Sequence, residues 1–343
     1  MLKQSLLYLS ESPAAKKVVT GTPLSRKLAQ RFVAGDTLDD AIEAARVLNA
    51  AGLSVSLDFL GESVATREEA DEAAEMAIRT LEAIAAQGID GNISLKPTQL
   101  GLDIDEEMCR RNVERVLQRA RELGDGEGEI FVRLDMESTA YTERTIALVE
   151  ELRDSGFRNV GTVLQSYLHR TPADVERLIA LGTRVRLVKG AYKEPDEVAF
   201  PDKADTDRKY VEEMERLLQA GTYPAIATHD EEIIRHARRF AWDNSIPKES
   251  FEFQMLYGIR RDLQTRLREE GYNVRVYVPF GDSWYPYLMR RLAERPANVL
   301  FMAGSILRES KVQRFARPAA LGAGLLVGAL AGLVMRPRRH RRP

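Results

Sequence analysis

The chain reads as an α/β protein of the (βα)8 kind, a distorted TIM-like barrel, and three observations predict it. Eight short runs rich in β-branched and apolar residues recur through the chain. A longer amphipathic stretch comes after each run, and eight alternations of strand and helix over roughly 250 residues mark a parallel barrel. Most of the runs are apolar without clean alternation, as strands buried on both faces are. An open doubly wound sheet is the alternative. It announces itself by a glycine-rich turn after its first strand, where this chain has Asp58-Phe59-Leu60-Gly61-Glu62-Ser63.

Residues 1–50 read as a helical arm. Leu28, Phe32, Ala41, Ile42, Ala45 and Leu48 give a patchy helical period, and Asp36-Thr37 offers a cap to its second helix. The barrel takes 51–305. Its first strand is expected at 54–59 and its first helix at 67–87. Strand 92–95 then leads to helix 105–123, strand 130–134 to helix 140–155, and strand 160–164 to helix 172–181. Strand 185–188 precedes helix 207–220, strand 225–227 precedes helix 231–244, and strand 251–254 precedes helix 259–270. Strand 274–278 closes the set, and a final helix comes after it. Residues 306–343 differ in composition and form a separate tail.

Composition narrows the function. Fifty basic and 52 acidic residues give a net charge of -2, so no global electrostatic case for nucleic acid exists. The single cysteine, Cys109, excludes a disulfide framework and a multi-cysteine zinc site. The four histidines show no metal-ligand spacing, so no metal is expected. The first residues lack the charged and long apolar regions of a secretory signal, and a cytoplasmic protein is expected.

Chemistry in such barrels sits at the C-terminal ends of the strands. The polar and glycine residues just past the strands are, in order, Asp58 and Glu62, then Lys96, then Asp135, Glu137 and Ser138, then Gln165, Tyr167 and His169. Next come Lys189, Gly190, Tyr192 and Glu194, then Thr228, His229 and Asp230, then Gln254, Tyr257 and Gly258, and last Tyr277, Gly281 and Asp282. Loops are wet, so any one of these is as well explained by solvent as by function. A rim polar all round points to a large polar ligand beside a substrate.

After the last strand, Tyr287, Arg290 and Arg291 stand at i, i+3 and i+4 and share one helical face. Two adjacent guanidiniums repel unless carboxylates or an anion lie near. Glu294 is placed to hold one, which leaves the other to grip an incoming carboxylate. A solvated basic patch is the plainer explanation of an arbitrary Arg-Arg pair.

These stretches resemble the proline dehydrogenase family over about residues 53–302. The matching segments are Leu57-Asp58-Phe59-Leu60-Gly61-Glu62, Ser94-Leu95-Lys96, Val132-Arg133-Leu134-Asp135-Met136-Glu137 and Leu164-Gln165-Ser166-Tyr167-Leu168. They continue with Arg186-Leu187-Val188-Lys189-Gly190-Ala191-Tyr192, Ala227-Thr228-His229-Asp230, the run from Phe251 to Gly258, and Tyr277-Val278-Pro279-Phe280-Gly281 leading into Tyr287, Arg290 and Arg291. Eight weak matches in order, each at an expected strand end, make a specific one. The resemblance implies a monofunctional enzyme that oxidises L-proline to 1-pyrroline-5-carboxylate by hydride transfer to non-covalent FAD, with quinone taking the electrons. It implies that the last helix caps the site. Arg290 and Arg291 would bind the proline carboxylate, with Tyr192, Leu256, Tyr277 and Tyr287 around the ring, Glu294 pairing an arginine, and Lys96 and Asp135 beside the substrate. Asp135, Gln165, Arg186, Val188, Lys189, Gly190, Ala191, Thr228, His229 and Gln254 would contact the flavin. Two other classes stay open: a Schiff-base aldolase barrel using Lys189 or Lys96, and a non-catalytic amino-acid-binding protein.

The tail lies outside the resemblance. Residues 318–335 are uncharged, at the lower edge of spanning length, and Gly324, Gly328 and Gly332 form a ridge of small residues. Both flanks are basic, so no orientation is favoured. A helix lying in the interface, with both ends drawn to anionic lipid, avoids placing arginines outside. Peripheral attachment to the inner face of the membrane is the expectation; intersubunit packing and a disordered tail are the alternatives.

Overall fold

A computed structural model describes residues 29–61, 64–124 and 128–294. Helix α1 (Leu38–Ala50) begins at Thr37, which accepts from the Asp40 amide while the Asp40 carboxylate accepts from the Thr37 amide. That reciprocal pair satisfies amides a helix start leaves open. The barrel elements come in order: β1 (Ser54–Phe59), α2 (Arg67–Ala86), β2 (Gly91–Leu95), α3 (Glu106–Glu122), β3 (Val132–Leu134), α4 (Thr139–Asp154), β4 (Val160–Gln165) and α5 (Thr171–Leu181). Then come β5 (Arg184–Val188), α6 (Lys203–Ala220), β6 (Ala225–Ala227), α7 (Glu231–Asp243), β7 (Glu252–Leu256), α8 (Arg261–Glu269) and β8 (Asn273–Phe280). The eight strands pair in parallel in chain order, and β8 returns to β1 to close the barrel.

Thr66 and Asp105 cap α2 and α3, each with two glutamates in the first turn, where the positive end of the helix dipole favours them. Strand β3 starts two residues later than the sequence predicts, because the Ile130 amide bonds back to the Ala120 carbonyl of α3. Helix α6 starts earlier than predicted, with Asp202 at its N-cap position.

The strands alternate more cleanly than expected. Leu57, Ile93, Leu134, Leu164, Leu187, Ile226, Phe253 and Val276 are buried in the core shared with the helices. Their neighbours in sequence point inward and are largely polar: Ser56 and Asp58, Ser94, Arg133, Arg186, Glu252 and Gln254, Arg275 and Tyr277. Bonds spanning the barrel from Arg186 to Ser94 and Gln254 fix that direction. The expectation of apolar strands without alternation is thus corrected. Much of the interior is polar in place of aliphatic layers: Arg186 pairs with Asp135 and Arg275 with Glu252, while Arg133 donates to the Thr162 carbonyl, and burying such charges is costly unless they find partners.

Residues 31–282 form one compact unit, and the described residues 29–30 and 283–294 belong to another. Helix α1 packs on β1 and β8 with Ala41, Ile42 and Ala45 buried. In the second unit α9 (Trp284–Glu294) is described. The tail 306–343 lies outside the described residues. Among those described, no helix is long and apolar enough to cross a membrane.

Candidate active site

Neighbouring strands β1 and β2 bring Asp58 and Lys96 together at their C-terminal ends. The Lys96 ammonium lies 2.8 and 3.0 Å from the two Asp58 oxygens, and both residues are buried. Burial pushes the Asp58 carboxyl above its ordinary value; Lys96 opposes this and the nearby charge of Asp135 adds to it.

Arg186, from β5, is the hub of a second group. It donates to Asp135 at 2.7 Å, to Gln254, and to Ser94 at 3.0 Å. Its guanidinium lies 5.1 Å from the Tyr277 ring centre, within range of a cation–π contact. Tyr277 completes the ring of contacts by donating to the other Asp135 oxygen at 2.8 Å. Burial, then the Asp135 charge, holds the Tyr277 phenol well above its ordinary value, so it stays a donor at neutral pH. Lys96 and Asp135, just past the ends of β2 and β3, and Arg186, Gln254 and Tyr277, from within β5, β7 and β8, therefore meet in one charged patch.

Beneath it, Glu252 accepts from Arg275 at 3.0 Å and from Gln254. Burial pushes the Glu252 carboxyl up, but Arg275 and Arg133 outweigh it and hold it below its ordinary value. Position 254 is thereby oriented from below, with its carbonyl turned to Arg186.

Other expected residues line the mouth in smaller groups. Val188 and Leu256 end β5 and β7, and both are half-buried. Gln165 donates to the Glu137 carbonyl at 2.8 Å, and the Glu137 carboxylate is fixed by the amide and hydroxyl of Thr98. Thr228 accepts the Asp230 amide at 3.1 Å. The Nε2 of His229 accepts the Leu256 amide at 2.9 Å, which requires that nitrogen to be unprotonated. Lys189 is bracketed by Asp207 at 2.6 Å and Asp230 at 3.0 Å. Gly190 has φ +115°, and a Cβ there would fall 2.2 Å from the Tyr167 ring, so only glycine lets the chain lie against it. Ala191 and Tyr192 come next, both half-buried.

Tyr287, Arg290 and Arg291 lie in α9, and the Arg291 guanidinium stands 5.0 Å from the Tyr287 ring centre. The side chain of Glu294 lies outside the described residues, as does Glu62. Sequence reasoning did not place Ser56, Ser94, Glu252 and Arg275 in this network. Their signal was polar residues at alternate positions inside strands. Among the described residues, no group of three or more histidines, cysteines, aspartates or glutamates could hold a metal.

The model of the proline dehydrogenase family matches residues 41–304. The chain is 43% identical over 295 residues to proline dehydrogenase 2 of Bacillus subtilis (strain 168), covering 86% of this chain and 95% of that one. It is 40% identical over 312 residues to a proline dehydrogenase of Deinococcus radiodurans, covering 90% and 98% respectively. Its fold is similar to a crystal structure of proline utilization A (PutA) from Bdellovibrio bacteriovorus, with a TM-score of 0.73 at 24% identity. That match covers 93% of this chain and 37% of the longer one.

Proposed function

The chain belongs to the proline dehydrogenase family, and from that premise we propose that it is a flavin enzyme oxidising L-proline to 1-pyrroline-5-carboxylate, with quinone as final acceptor. The observation that carries the reading is the patch of Lys96, Asp135, Arg186, Gln254 and Tyr277 inside the barrel. Its donor set suits a flavin. Arg186, Gln165, Gln254, Thr228 and His229 offer polar side chains, Val188 and Ala191 offer apolar surface, and the backbone approaches closely at Gly190. Lys189, held between Asp207 and Asp230, adds an ammonium donor beside it. Bound FAD would accept the hydride that leaves the ring carbon.

Loss of hydride requires the proline nitrogen to be neutral, so that its lone pair can form the C=N bond. Proline arrives as an ammonium. Lys96, and the Arg290–Arg291 pair on the substrate carboxylate, disfavour that second positive charge and so favour proton loss. Asp58 moderates this field by pairing with Lys96. Tyr277, fixed by Asp135, would pack with Tyr192, Leu256 and Tyr287 around the ring. Glu294 would orient the clamp. Lys96 and Lys189 are each held by carboxylates, whereas a Schiff-base amine needs a free lone pair. That observation weighs against the aldolase reading.

The test is the visible spectrum of the purified protein before and after anaerobic L-proline. Flavin bands that bleach support the proposal. Bands that persist discard proline as substrate, and a protein left colourless after incubation with FAD discards the flavin. For the clamp, Arg291→Met is expected to raise KM for proline at least tenfold, about 1.4 kcal/mol. An unchanged KM in steady-state assays with a dye acceptor removes Arg291 from the site. For the tail, the full chain is expected in the membrane fraction of a cell lysate and a chain ending at Arg317 in the supernatant. Identical distribution of the two discards peripheral anchoring on the inner face.

A further inference from the structure

The segment 189–202 between β5 and α6 runs as a strap beside the barrel mouth and carries Tyr192. Its two ends are fastened to the loop after β4. At the near end the Ser166 and Tyr167 amides donate to the Val188 and Lys189 carbonyls at 2.8 and 3.0 Å, and Gly190 lies against the Tyr167 ring. At the far end Leu168 and Ala199 form an antiparallel bridge, and the His169 ring meets the Asp196 carbonyl at 3.0 Å. The middle is tied elsewhere. Glu194 accepts the Thr139 amide at 2.7 Å, the first amide of α4, fifty-five residues away in sequence.

That bond answers a gap in α4. Helices α1, α2, α3 and α7 are capped by their own Thr37, Thr66, Asp105 and Asp230, and each has acids in its first turn. In α4 the N-cap Ser138 makes no side-chain cap bond and the first turn holds no acid. A carboxylate is what the N-terminal amides and dipole of a helix favour, and here a residue of the strap supplies it. The charge of Glu194 also reaches Tyr167, whose phenol is pushed up mainly by burial.

The geometry points to Glu194 as a positioning residue that fixes the strap, and through it Tyr192, by seating its carboxylate on the N-terminus of α4. This rests on the reading of Tyr192 as a contact of the proline ring. The helix gains a cap, and the site gains a side chain held in place before substrate arrives. Loss of the tie therefore weakens substrate capture more than the chemical step.

Two roles must be separated, since removing Glu194 also uncaps α4. Ser138→Asp gives α4 a cap of its own, as Asp105 does in α3 with a bond to the Met108 amide at 3.1 Å. Steady-state kinetics of the full-length holoenzyme with L-proline and a dye acceptor are expected to show KM raised about tenfold in Glu194→Ala, with kcat within twofold. Glu194→Gln, which keeps an acceptor oxygen, is expected to recover most of that KM. The double variant Ser138→Asp/Glu194→Ala is expected to keep the raised KM. A KM for Glu194→Ala within twofold of wild type overturns the inference. So does restoration of KM by Ser138→Asp, which makes Glu194 a helix cap and nothing more. Wild-type protein whose flavin is not bleached by proline overturns the functional reading itself, and the inference with it.

Discussion

Arg186→Met is expected to lower unfolding stability by about 3–5 kcal/mol and to strip the enzyme of flavin. The cost arises from the groups left behind. Asp135 keeps one partner, the Tyr277 hydroxyl at 2.8 Å, and loses the guanidinium that neutralises it. Ser94 and Gln254 lose theirs as well. Methionine fills much of the volume but pairs with none of them, and breaking a buried pair from one side costs about this much. Arg186→Lys is expected to recover little, because one ammonium cannot reach three partners set out for a planar fork. Arg186→Met/Asp135→Asn is expected to regain part of the loss, since it removes the orphaned charge. Urea midpoints and flavin content per chain measure both effects. A single variant that loses less than 1 kcal/mol and retains its flavin would show that the hub is dispensable.

That network marks where legibility in the sequence ends. The strands were legible because each keeps branched or apolar residues on its helix-facing side: 54–59 and 225–227 come out with the boundaries their sequences predict. The residues at the strand ends were legible as a set, since a parallel barrel places them all at one mouth. Their partners were not. Lys96 meets Asp58, Arg186 meets Asp135 and Tyr277 meets Asp135, across separations of 38, 51 and 142 residues. Such pairings depend on strand stagger around the closed barrel, and periodicity gives a residue's face without giving its height. The same limit hid the tie between Glu194 and α4. Glu194 was visible as a polar residue after a strand, but its acceptor role depends on a helix start brought close by the fold.

Glu213 illustrates a different kind of hidden information, and its replacement by glutamine is expected to stabilise the protein at alkaline pH. The residue lies on α6 and is 4% exposed. Neither of its oxygens makes a hydrogen bond of ordinary geometry among the described residues. Burial drives its carboxyl up to about 8, with the Ser166 hydroxyl and Lys209 opposing and Glu212 reinforcing. The unfolded chain releases that proton near 4.5. An acid with a raised folded value favours the fold fully below the unfolded value, and loses that advantage as pH rises through the folded one. Stability tied to Glu213 therefore declines between about pH 4.5 and about pH 8, with a slope of up to ~1.4 kcal/mol per pH unit. Glu213→Gln keeps the shape and removes the titration. Relative to wild type, its stability at pH 8.5 is expected to improve by about 2–4 kcal/mol over its standing at pH 5.5. Other titrating groups are common to both proteins and cancel in the comparison. Urea midpoints at the two pH values decide it: an equal difference between variant and wild type at both would mean that Glu213 ionises normally in the fold, held by a group that burial alone does not reveal.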